Sequence, residues 1–382
     1  MTVTQIIALA RKEVERNPSR PQPRAALREI MDAQGPFCVE LLGKSKSELR
    51  DLCVSLGEPP YRGAQLYHAL YAERKFSVAA ITLPTIRQRY TSRDASVRYL
   101  FSLPSGEDKS TARPASVEAV FMPGDGRQTI CISTQAGCAV DCQFCLTARL
   151  GLIRNLTPAE ILAQVLIPLE EHKSALAPQT NIVLMGQGEP LLNFDSVVAA
   201  LKIIVDPEAI GISPKHVTLS TSGIVPGIER LAQEKIRPKL AISLNASSDE
   251  QRDAVMPINR KYPLAALLNA CRNYPLRPWE HLTFEYVMLG GVNDSPEDAR
   301  RVVRLLANLK SVKVNLIPWN PGELPYRESP AEAIELFRKI LVDCGIPAFV
   351  RYSRGRDVMA ACGQLALLNI ESAVPDALSP PQ

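Results

Sequence analysis

The chain contains the stretch Thr129-Ile-Cys-Ile-Ser-Thr-Gln-Ala-Gly-Cys138-Ala-Val-Asp-Cys142-Gln-Phe-Cys145, which joins a strand-like run to a group of three cysteines. Its first residues form a short run rich in β-branched side chains, which predicts a β-strand. The run passes through Gly137 into a loop on which three cysteines, Cys138, Cys142 and Cys145, fall within eight residues. Thiolates gathered so closely predict a metal site or a cluster site.

The number of cysteines distinguishes between kinds of site. Three cysteines do not complete a four-ligand structural zinc site, and the chain has only four histidines, all more than twenty-five residues from the loop. A [4Fe–4S] cluster bound by three cysteines leaves one iron open to bind a substrate, and the spacing favours this interpretation. Buried structural cysteines and a zinc site with a distant fourth ligand are the alternatives.

The composition sets broad limits. With 382 residues, 46% of them hydrophobic and 22% charged, the chain is expected to form one large globular domain or two modest ones. The net charge of +4 is slight, so a nucleic-acid surface would depend on local clusters of Lys and Arg. No apolar run approaches the length of a membrane span, and the N-terminus lacks the apolar core of a signal peptide.

The cysteine content predicts a cytoplasmic protein with reduced thiols. Nine cysteines in a long chain without a signal peptide favour ligation or catalysis over a disulfide framework. Because cysteine is often buried, four of the nine are expected to fill the core: Cys38, Cys53, Cys271 and Cys344.

Three segments precede the cysteine loop. Residues 1–35 are rich in Arg, Pro and Ala and predict a loosely ordered extension. Leucines such as Leu49, Leu52 and Leu56 recur at three to four residues and predict a small helical domain over residues 36–96. Four arginines near its end are expected on a solvated helix face: Arg87, Arg89, Arg93 and Arg98. Apolar runs on both sides of Pro123-Gly-Asp-Gly predict a β-hairpin.

Beyond the loop, apolar runs alternate with helical patterns. Strands are predicted at residues 181–185, 216–220, 240–244, 282–288 and 312–317, and helix starts with hydroxyl caps at Thr157, Ser295 and Ser329. This alternation predicts an α/β fold with a parallel sheet, here a partial (β/α) barrel over residues 97–368, followed by a flexible tail at 369–382. The active site is expected at the C-terminal ends of the strands.

The loop resembles the signature of the radical S-adenosylmethionine superfamily, a CxxxCxxC motif with an aromatic residue, Phe144, before the last cysteine. The resemblance implies a [4Fe–4S] cluster on Cys138, Cys142 and Cys145, whose open iron binds S-adenosylmethionine and whose electron cleaves it to a 5′-deoxyadenosyl radical. Other positions that match the superfamily fall at successive strand ends and imply contacts with the cofactor: Gly188, Glu189, Ser220, Ser243, Leu244, Asn245 and Asn320.

A narrower resemblance, from about residue 36 to residue 368, is to the radical methyltransferases of the RlmN and Cfr group. The sequences around Cys131 and Cys362 carry it, Cys-Ile-Ser-Thr-Gln-Ala-Gly-Cys and Arg-Gly-Arg-Asp-Val-Met-Ala-Ala-Cys. It implies methylation of adenine C2 in 23S ribosomal RNA, with two molecules of S-adenosylmethionine per turnover. Cys362 would carry the methyl group, Cys131 would form a transient disulfide with it, and Glu118 would accept the C2 proton.

The same resemblance implies partners. They are 23S rRNA, tRNA in some relatives, and a reducing electron donor such as flavodoxin, with residues 36–96 as an accessory RNA-binding domain. Candidates for phosphate contacts are Arg87, Arg89, Arg93, Arg351, Arg354 and Arg356. Methylation at adenine C8 and a non-catalytic iron–sulfur protein that binds RNA are the alternatives. Two residues depart from the commonest pattern, Gln187 in place of Met and Asn245 in place of His.

Overall fold

A computed structural model of the protein describes residues 41–75, 83–103 and 115–366. The predicted extension at 1–35, Cys38 and the predicted tail at 369–382 lie outside the described residues. No helix in these three ranges is long and apolar enough to cross a membrane.

Among the described residues before the sheet, two helices occur, α1 (Lys46–Ser55) and α2 (Tyr61–Tyr71). α1 begins at a capping box, in which the Ser45 hydroxyl accepts a hydrogen bond from the Glu48 N–H and the Glu48 carboxylate accepts one from the Ser45 N–H. The prediction of a helical domain over residues 36–96 is wrong at its end, because residues 85–91 form a strand. β-Branched and aromatic residues replace the spaced leucines there, which suits a strand better than a helix.

Within residues 83–103 and 115–366, the strands form one open sheet of ten and one separate pair. Antiparallel strands begin the large sheet, in the order β1 (Thr85–Thr91), β2 (Val97–Ser102), β3 (Ser116–Met122) and β4 (Arg127–Cys131). Parallel strands continue it from β4 in the order β7 (Gln179–Leu184), β8 (Val217–Thr221), β9 (Lys239–Ser243), β10 (Leu282–Met288), β11 (Val312–Pro318) and β12 (Ala348–Val350). β5 (Gln135–Gly137) pairs with β6 (Leu152–Asn155). The predicted hairpin and all five predicted downstream strands are confirmed.

Helices connect the parallel strands. Within residues 115–366 they are α3 (Pro158–Glu171), α4 (Phe194–Val205), α5 (Val225–Ala232), α6 (Asp249–Val255), α7 (Leu264–Asn273), α8 (Pro296–Leu306) and α9 (Ala331–Asp343). Thr157 and Ser295 cap α3 and α8 as predicted, each in a capping box. Ser329 does not cap α9, which begins at Ala331 after Pro330. The preceding Glu328 forms a β-bridge with Leu289, so the chain enters α9 from an extended conformation.

The two faces of the large sheet have different roles. On the outer face, side chains such as Ile130, Ile182 and Leu240 are fully buried in the main hydrophobic core. On the inner face, Ser243 and Glu285 line a cavity. Because side chains alternate along a strand, each strand contributes to both faces. The α/β prediction with a partial barrel is confirmed, since the edge strands β1 and β12 do not pair with each other.

The cysteines expected in the core are only partly there. Cys53 and Cys271 are buried, in α1 and α7. Cys344 is exposed, and its prediction as a core residue is wrong because it follows the last turn of α9 at the surface.

Candidate active site

The three cysteines of the motif lie on the wall of one cavity. Their loop follows β5, whose last residue, Gly137, has a φ of 76°. A Cβ atom at this position would lie 1.8 Å from the carbonyl oxygen of Gly151. The N–H of Cys138 donates a hydrogen bond of 2.9 Å to the same carbonyl. Only glycine fits at position 137, and its conformation lets the loop close against residue 151.

The three thiols are held in an environment that disfavours free thiolates. Burial raises the pKa of Cys142 and Cys145, and it raises the pKa of Cys138 to about 12. In the described ranges no three His, Cys, Asp or Glu side chains are arranged to hold a metal ion. Three cysteines would hold a [4Fe–4S] cluster with one iron left open, whereas a structural zinc ion would need a fourth ligand.

The adjacent wall of the cavity is formed by Gly186, Gly188, Glu189 and Pro190. Gly188 has a φ of 95°, and a Cβ atom there would lie 2.5 Å from the Gln135 side chain. The buried Glu189 carboxylate accepts hydrogen bonds from the N–H groups of Leu191, at 3.0 Å, and Ser222, at 2.6 Å. Burial raises the pKa of Glu189, and within the described residues no basic side chain pairs with it. A ligand with an ammonium group would supply that missing cation.

Polar side chains at successive strand ends complete the wall. Ser220, Ser243 and Asn320 line the cavity. The Asn320 amide donates hydrogen bonds of 3.0 Å to the Ser353 hydroxyl and to the carbonyl oxygen of Cys362. Asn320 therefore fixes the position of the backbone that carries Cys362.

Two of the residues predicted to contact the cofactor have side chains that pack or form hydrogen bonds elsewhere in the protein. The side chain of Leu244 is fully buried and does not line the cavity. Asn245 lines it, but its Oδ1 accepts a hydrogen bond of 2.8 Å from the Val287 N–H and its Nδ2 donates one of 3.2 Å to Met256 Sδ. Its φ of 55° lies in the left-handed region, which Asn adopts more readily than most residues. Asn245 thus joins the end of β9 to β10.

Arg252 supports these strand ends and was not predicted. Its guanidinium is fully buried and donates hydrogen bonds to the carbonyl oxygens of Ser222, Ser243 and Leu244, at 2.6, 3.0 and 3.1 Å. Burial lowers the pKa of Arg252 to about 10, and the nearby Cys142 opposes that shift. An arginine in a short polar helix gives no sequence signal of this role, because its acceptors are backbone atoms distant along the chain.

Cys362 and Cys131 reach the site from different elements. Cys362 lies on residues 356–366, here called the C-terminal loop, and lines the cavity with the motif cysteines. Cys131 is 9% exposed and packs in an apolar cluster with Val358 and Leu365 of that loop. Burial raises the pKa of the Cys131 thiol, and the Cys362 charge raises it further. Cys362 is exposed as a residue, but desolvation around its thiol still raises the pKa to about 11. Both are free thiols, close enough to interact electrostatically.

Glu118 lies beside the cavity wall in a buried ion pair. Arg98 Nη1 is 2.9 Å from Glu118 Oε1, and the two side chains are 0% and 1% exposed. Gln187 Nε2 donates hydrogen bonds of 3.4 Å to Glu118 Oε2 and to the carbonyl oxygen of Leu365. The unusual Gln187 therefore connects Glu118 with the C-terminal loop. Arg98 was expected on a solvated helix face, and that prediction is wrong because the pairing of β2 with β3 places it on the same face as Glu118.

The arginines considered for RNA contacts fall into two groups. Three form ion pairs with carboxylates at 3.0 to 3.3 Å: Arg89, Arg354 and Arg356. The other three are exposed: Arg87, Arg93 and Arg351. Exposed cations remain available for phosphate groups, whereas paired ones would first have to leave their carboxylates.

Comparisons with known proteins define the class. Residues 132–306 match the Radical SAM superfamily. A radical SAM methyltransferase from Sphaerobacter thermophilus, known from its crystal structure, has a TM-score of 0.79 and 37% identity with this chain, covering 85% of this chain and 98% of its own. The open sheet, the three-cysteine loop and these matches are those of a radical SAM enzyme.

Curated relatives narrow the class. The chain is 48% identical to the probable dual-specificity RNA methyltransferase RlmN of Koribacter versatilis, over 81% of this chain and 96% of that protein. It is 44% identical to the dual-specificity RNA methyltransferase RlmN of Anaeromyxobacter dehalogenans, over 88% of this chain and 94% of that protein. The chain belongs to the RlmN family of radical SAM RNA methyltransferases, which use a [4Fe–4S] cluster and S-adenosylmethionine.

The residues of the cavity fit both a [4Fe–4S] cluster and S-adenosylmethionine. Iron would stabilise the three thiolates against the burial that raises their pKa values. The buried Glu189 carboxylate would pair with the ammonium group of S-adenosylmethionine. Both sets of groups line the same cavity, so the cluster and the cofactor would be held side by side.

Proposed function

We propose that this protein methylates C2 of an adenine in 23S rRNA, and an adenine in tRNA, by a radical route that uses five of its cysteines. The dual-specificity names of its relatives support two RNA substrates. One observation carries the route: Cys362 lines the same cavity as the three motif cysteines, and Cys131 lies beside the loop that holds it. A protein that only stored a cluster would not need two free thiols at this place.

The substrate explains why a radical is needed. C2 of adenine is an electron-poor ring carbon that cannot attack a methyl group as a nucleophile. When bound, S-adenosylmethionine and the cluster on Cys138, Cys142 and Cys145 would supply a methyl group and a 5′-deoxyadenosyl radical. What remains for the protein is to hold the methyl carbon, to accept a proton and to release the product.

Three side chains would perform these tasks. Cys362 would carry the methyl group as a thioether, and after loss of a hydrogen atom that carbon would bond to C2. Glu118 would take the proton that leaves C2 as the ring regains aromaticity. Cys131, as a thiolate, would attack the Cys362 sulfur, so that an S–S bond forms as the S–C bond breaks and the released carbon gains a proton to become methyl. The one unpaired electron that radical addition leaves on the adenine ring would have to leave as well, and the oxidised cluster would be its acceptor. An external thiol would reduce the disulfide for the next turnover.

The supporting contacts agree with these roles. Asn320 holds the backbone carbonyl of Cys362, and Gln187 links Glu118 to the same loop. Arg98 keeps Glu118 beside a positive charge, which favours the ionised carboxylate that a proton acceptor requires. Glu118 itself does not line the cavity, so we propose that Gln187 and the loop move slightly when RNA binds. A reduced flavodoxin, or another donor of similar potential, would supply the electron.

The test is anaerobic reconstitution with iron and sulfide, followed by incubation with S-adenosylmethionine, a reductant and either 23S rRNA or tRNA. Mass spectrometry of the digested nucleosides should find 2-methyladenosine in both RNAs. Cys362→Ala should abolish it, whereas Cys344→Ala, which changes an exposed cysteine outside the cavity, should not. 8-Methyladenosine would favour the alternative regiochemistry, and unmodified RNA with uncleaved S-adenosylmethionine would contradict the proposal.

A further inference from the structure

Three cations and one aromatic ring lie on the inner face of the sheet, outside the catalytic cavity: Lys239, Lys313, Arg351 and Phe349. The strand register places the first two on this face. Lys239 is four residues before Ser243 on β9, and Lys313 is two residues before Asn315 on β11. Ser243 lines the cavity, and the Asn315 amide donates a hydrogen bond of 2.9 Å to Glu285, which also lines it. Because side chains alternate, residues an even number apart share a face.

Phe349 and Arg351 extend this row at the edge of the sheet. Phe349 pairs in register with Asn315, so it lies on the same face, and it is 46% exposed. The Arg351 guanidinium lies 5.6 Å from the centre of the Phe349 ring, and its Nε donates a hydrogen bond of 3.3 Å to Asn315 Oδ1. An exposed ring with a neighbouring guanidinium is the kind of platform on which a nucleic-acid base stacks.

Among the residues that the structure describes, the two lysine ammonium groups have no partner of their own. Within the described ranges neither Lys239 nor Lys313 forms an ion pair or a side-chain hydrogen bond, although both side chains are partly buried. Burial lowers the pKa of both, and neighbouring cations lower each further, Lys313 acting on Lys239 and Arg351 on Lys313. The carboxylates that face them, Glu280 and Glu285, oppose this only in part. These neighbouring cations repel one another, and a bound anion would offset that repulsion.

We propose that Lys239, Lys313, Arg351 and Phe349 bind the single-stranded RNA that flanks the target adenine, the cations holding phosphate groups and Phe349 stacking on a base. The inference rests on the proposed function, because it takes RNA as the substrate. Lys239 begins β9 and Ser243 ends it, four positions or about 13 Å along the strand, so Lys239 and Lys313 lie at the N-terminal ends of their strands, on the cavity's face of the sheet but away from the cofactor-binding strand ends. RNA held there would present one unstacked adenine to the cavity from that side while its backbone stays outside.

The test compares two double variants that remove the same charge. Lys239→Gln/Lys313→Gln changes the inner face, and Lys202→Gln/Lys339→Gln changes two exposed lysines on the outer helices α4 and α9. The probe is a fluorescent single-stranded fragment of 23S rRNA containing the target adenine, and its binding is followed by anisotropy over a range of salt concentrations. Thermal unfolding of each variant checks that it is folded. Phe349→Ala is measured in parallel as the test of stacking.

The inner-face variant should bind the fragment about tenfold more weakly. Its log–log salt slope should be about 1.4 smaller, the value for two lost phosphate contacts on a single strand. Phe349→Ala should weaken binding with an unchanged slope, since it removes no charge. Equal affinities and slopes for the two double variants would overturn the inference. Because binding needs no turnover, a wild-type protein that binds the fragment but does not methylate it would refute the proposed function and leave this inference standing.

Discussion

Replacing Arg98 with Met should show how strongly the buried ion pair supports both the fold and Glu118. Arg98 Nη1 is 2.9 Å from Glu118 Oε1, with both side chains almost completely buried, and the guanidinium also lies 4.3 Å from the centre of the Tyr90 ring. Burial lowers the pKa of Arg98, while Glu118 and Tyr90 oppose that shift. The pair is thus held by mutual attraction in a place where neither charge alone would be stable.

The magnitude follows from what the substitution leaves behind. Met fills a similar volume but leaves the Glu118 carboxylate buried without its cation, which typically costs about 3–5 kcal/mol of the free energy of unfolding. The double variant Arg98→Met/Glu118→Gln removes both charges, so it should recover about half of that loss or more. Arg89→Met is the matched control. Arg89 lies on β1, next to β2, and pairs with Glu171 at 3.0 Å, but its side chain is 47% exposed. This substitution should cost less than about 1 kcal/mol.

Denaturant unfolding of the four proteins gives these free energies, and the rate of methylation gives the catalytic consequence. Without Arg98, the Glu118 carboxylate loses the cation that holds it in place, so methylation by Arg98→Met should fall. An Arg98→Met protein as stable as the Arg89→Met control, with the wild-type rate of methylation, would refute this reasoning.

Three further predictions test other parts of the structure. Gln187→Met should lower kcat several-fold by loosening Glu118, with an unchanged KM for S-adenosylmethionine; an unchanged kcat would contradict this role. Gly137→Ala should lose at least half of the iron bound on reconstitution, because its Cβ would collide with a backbone carbonyl; full iron content would argue against the described loop. Burial alone would raise the pKa of Asp298, but hydrogen bonds from four side chains outweigh burial and lower it: Ser247, Ser295, Gln251 and Arg301. Asp298→Asn should therefore reduce the free energy of unfolding by about 1–3 kcal/mol at neutral pH. In denaturant titrations that difference should shrink as the pH falls below the ordinary value of 3.8, where the stabilisation by Asp298 is lost; a constant difference down to pH 3 would be inconsistent with it.

The parallel half of the fold was predictable because its signals are local. Each strand from β7 to β11 is an apolar run between turn residues, and Thr157 and Ser295 mark helix starts by side chains that act on their own backbone. Strand β1 was missed, since its sequence Thr-Ile-Arg-Gln-Arg-Tyr-Thr has charged residues where it meets solvent and lacks a continuous apolar run. Its formation depends on pairing with its neighbour β2 and not on its own composition.

In the candidate site, too, residues of local motifs could be predicted, and residues paired across distant parts of the chain could not. Cys138, Cys142, Cys145 and Cys362 were predictable from motifs, and the fold brings all four to one cavity. Arg98 was not, because its partner Glu118 lies on another strand and only the register of β2 with β3 joins them.

The roles of Arg252 and Asn245 could not be predicted from the sequence either. Arg252 donates to backbone carbonyls and Asn245 takes a left-handed conformation, and both depend on strand ends that meet only in the folded chain. Interactions of this kind leave no pattern in the order of residues.

If Cys131 releases the RNA from Cys362, as proposed, a protein without Cys131 should remain joined to its substrate. The reconstituted Cys131→Ala protein is incubated with 23S rRNA, S-adenosylmethionine and reductant, digested with nuclease and protease, and analysed by mass spectrometry. We expect a peptide in which Cys362 is joined through one carbon to an adenosine, and no such peptide in Cys131→Ala/Cys362→Ala. Free 2-methyladenosine at the wild-type rate, with no adduct on Cys362, would contradict that proposal.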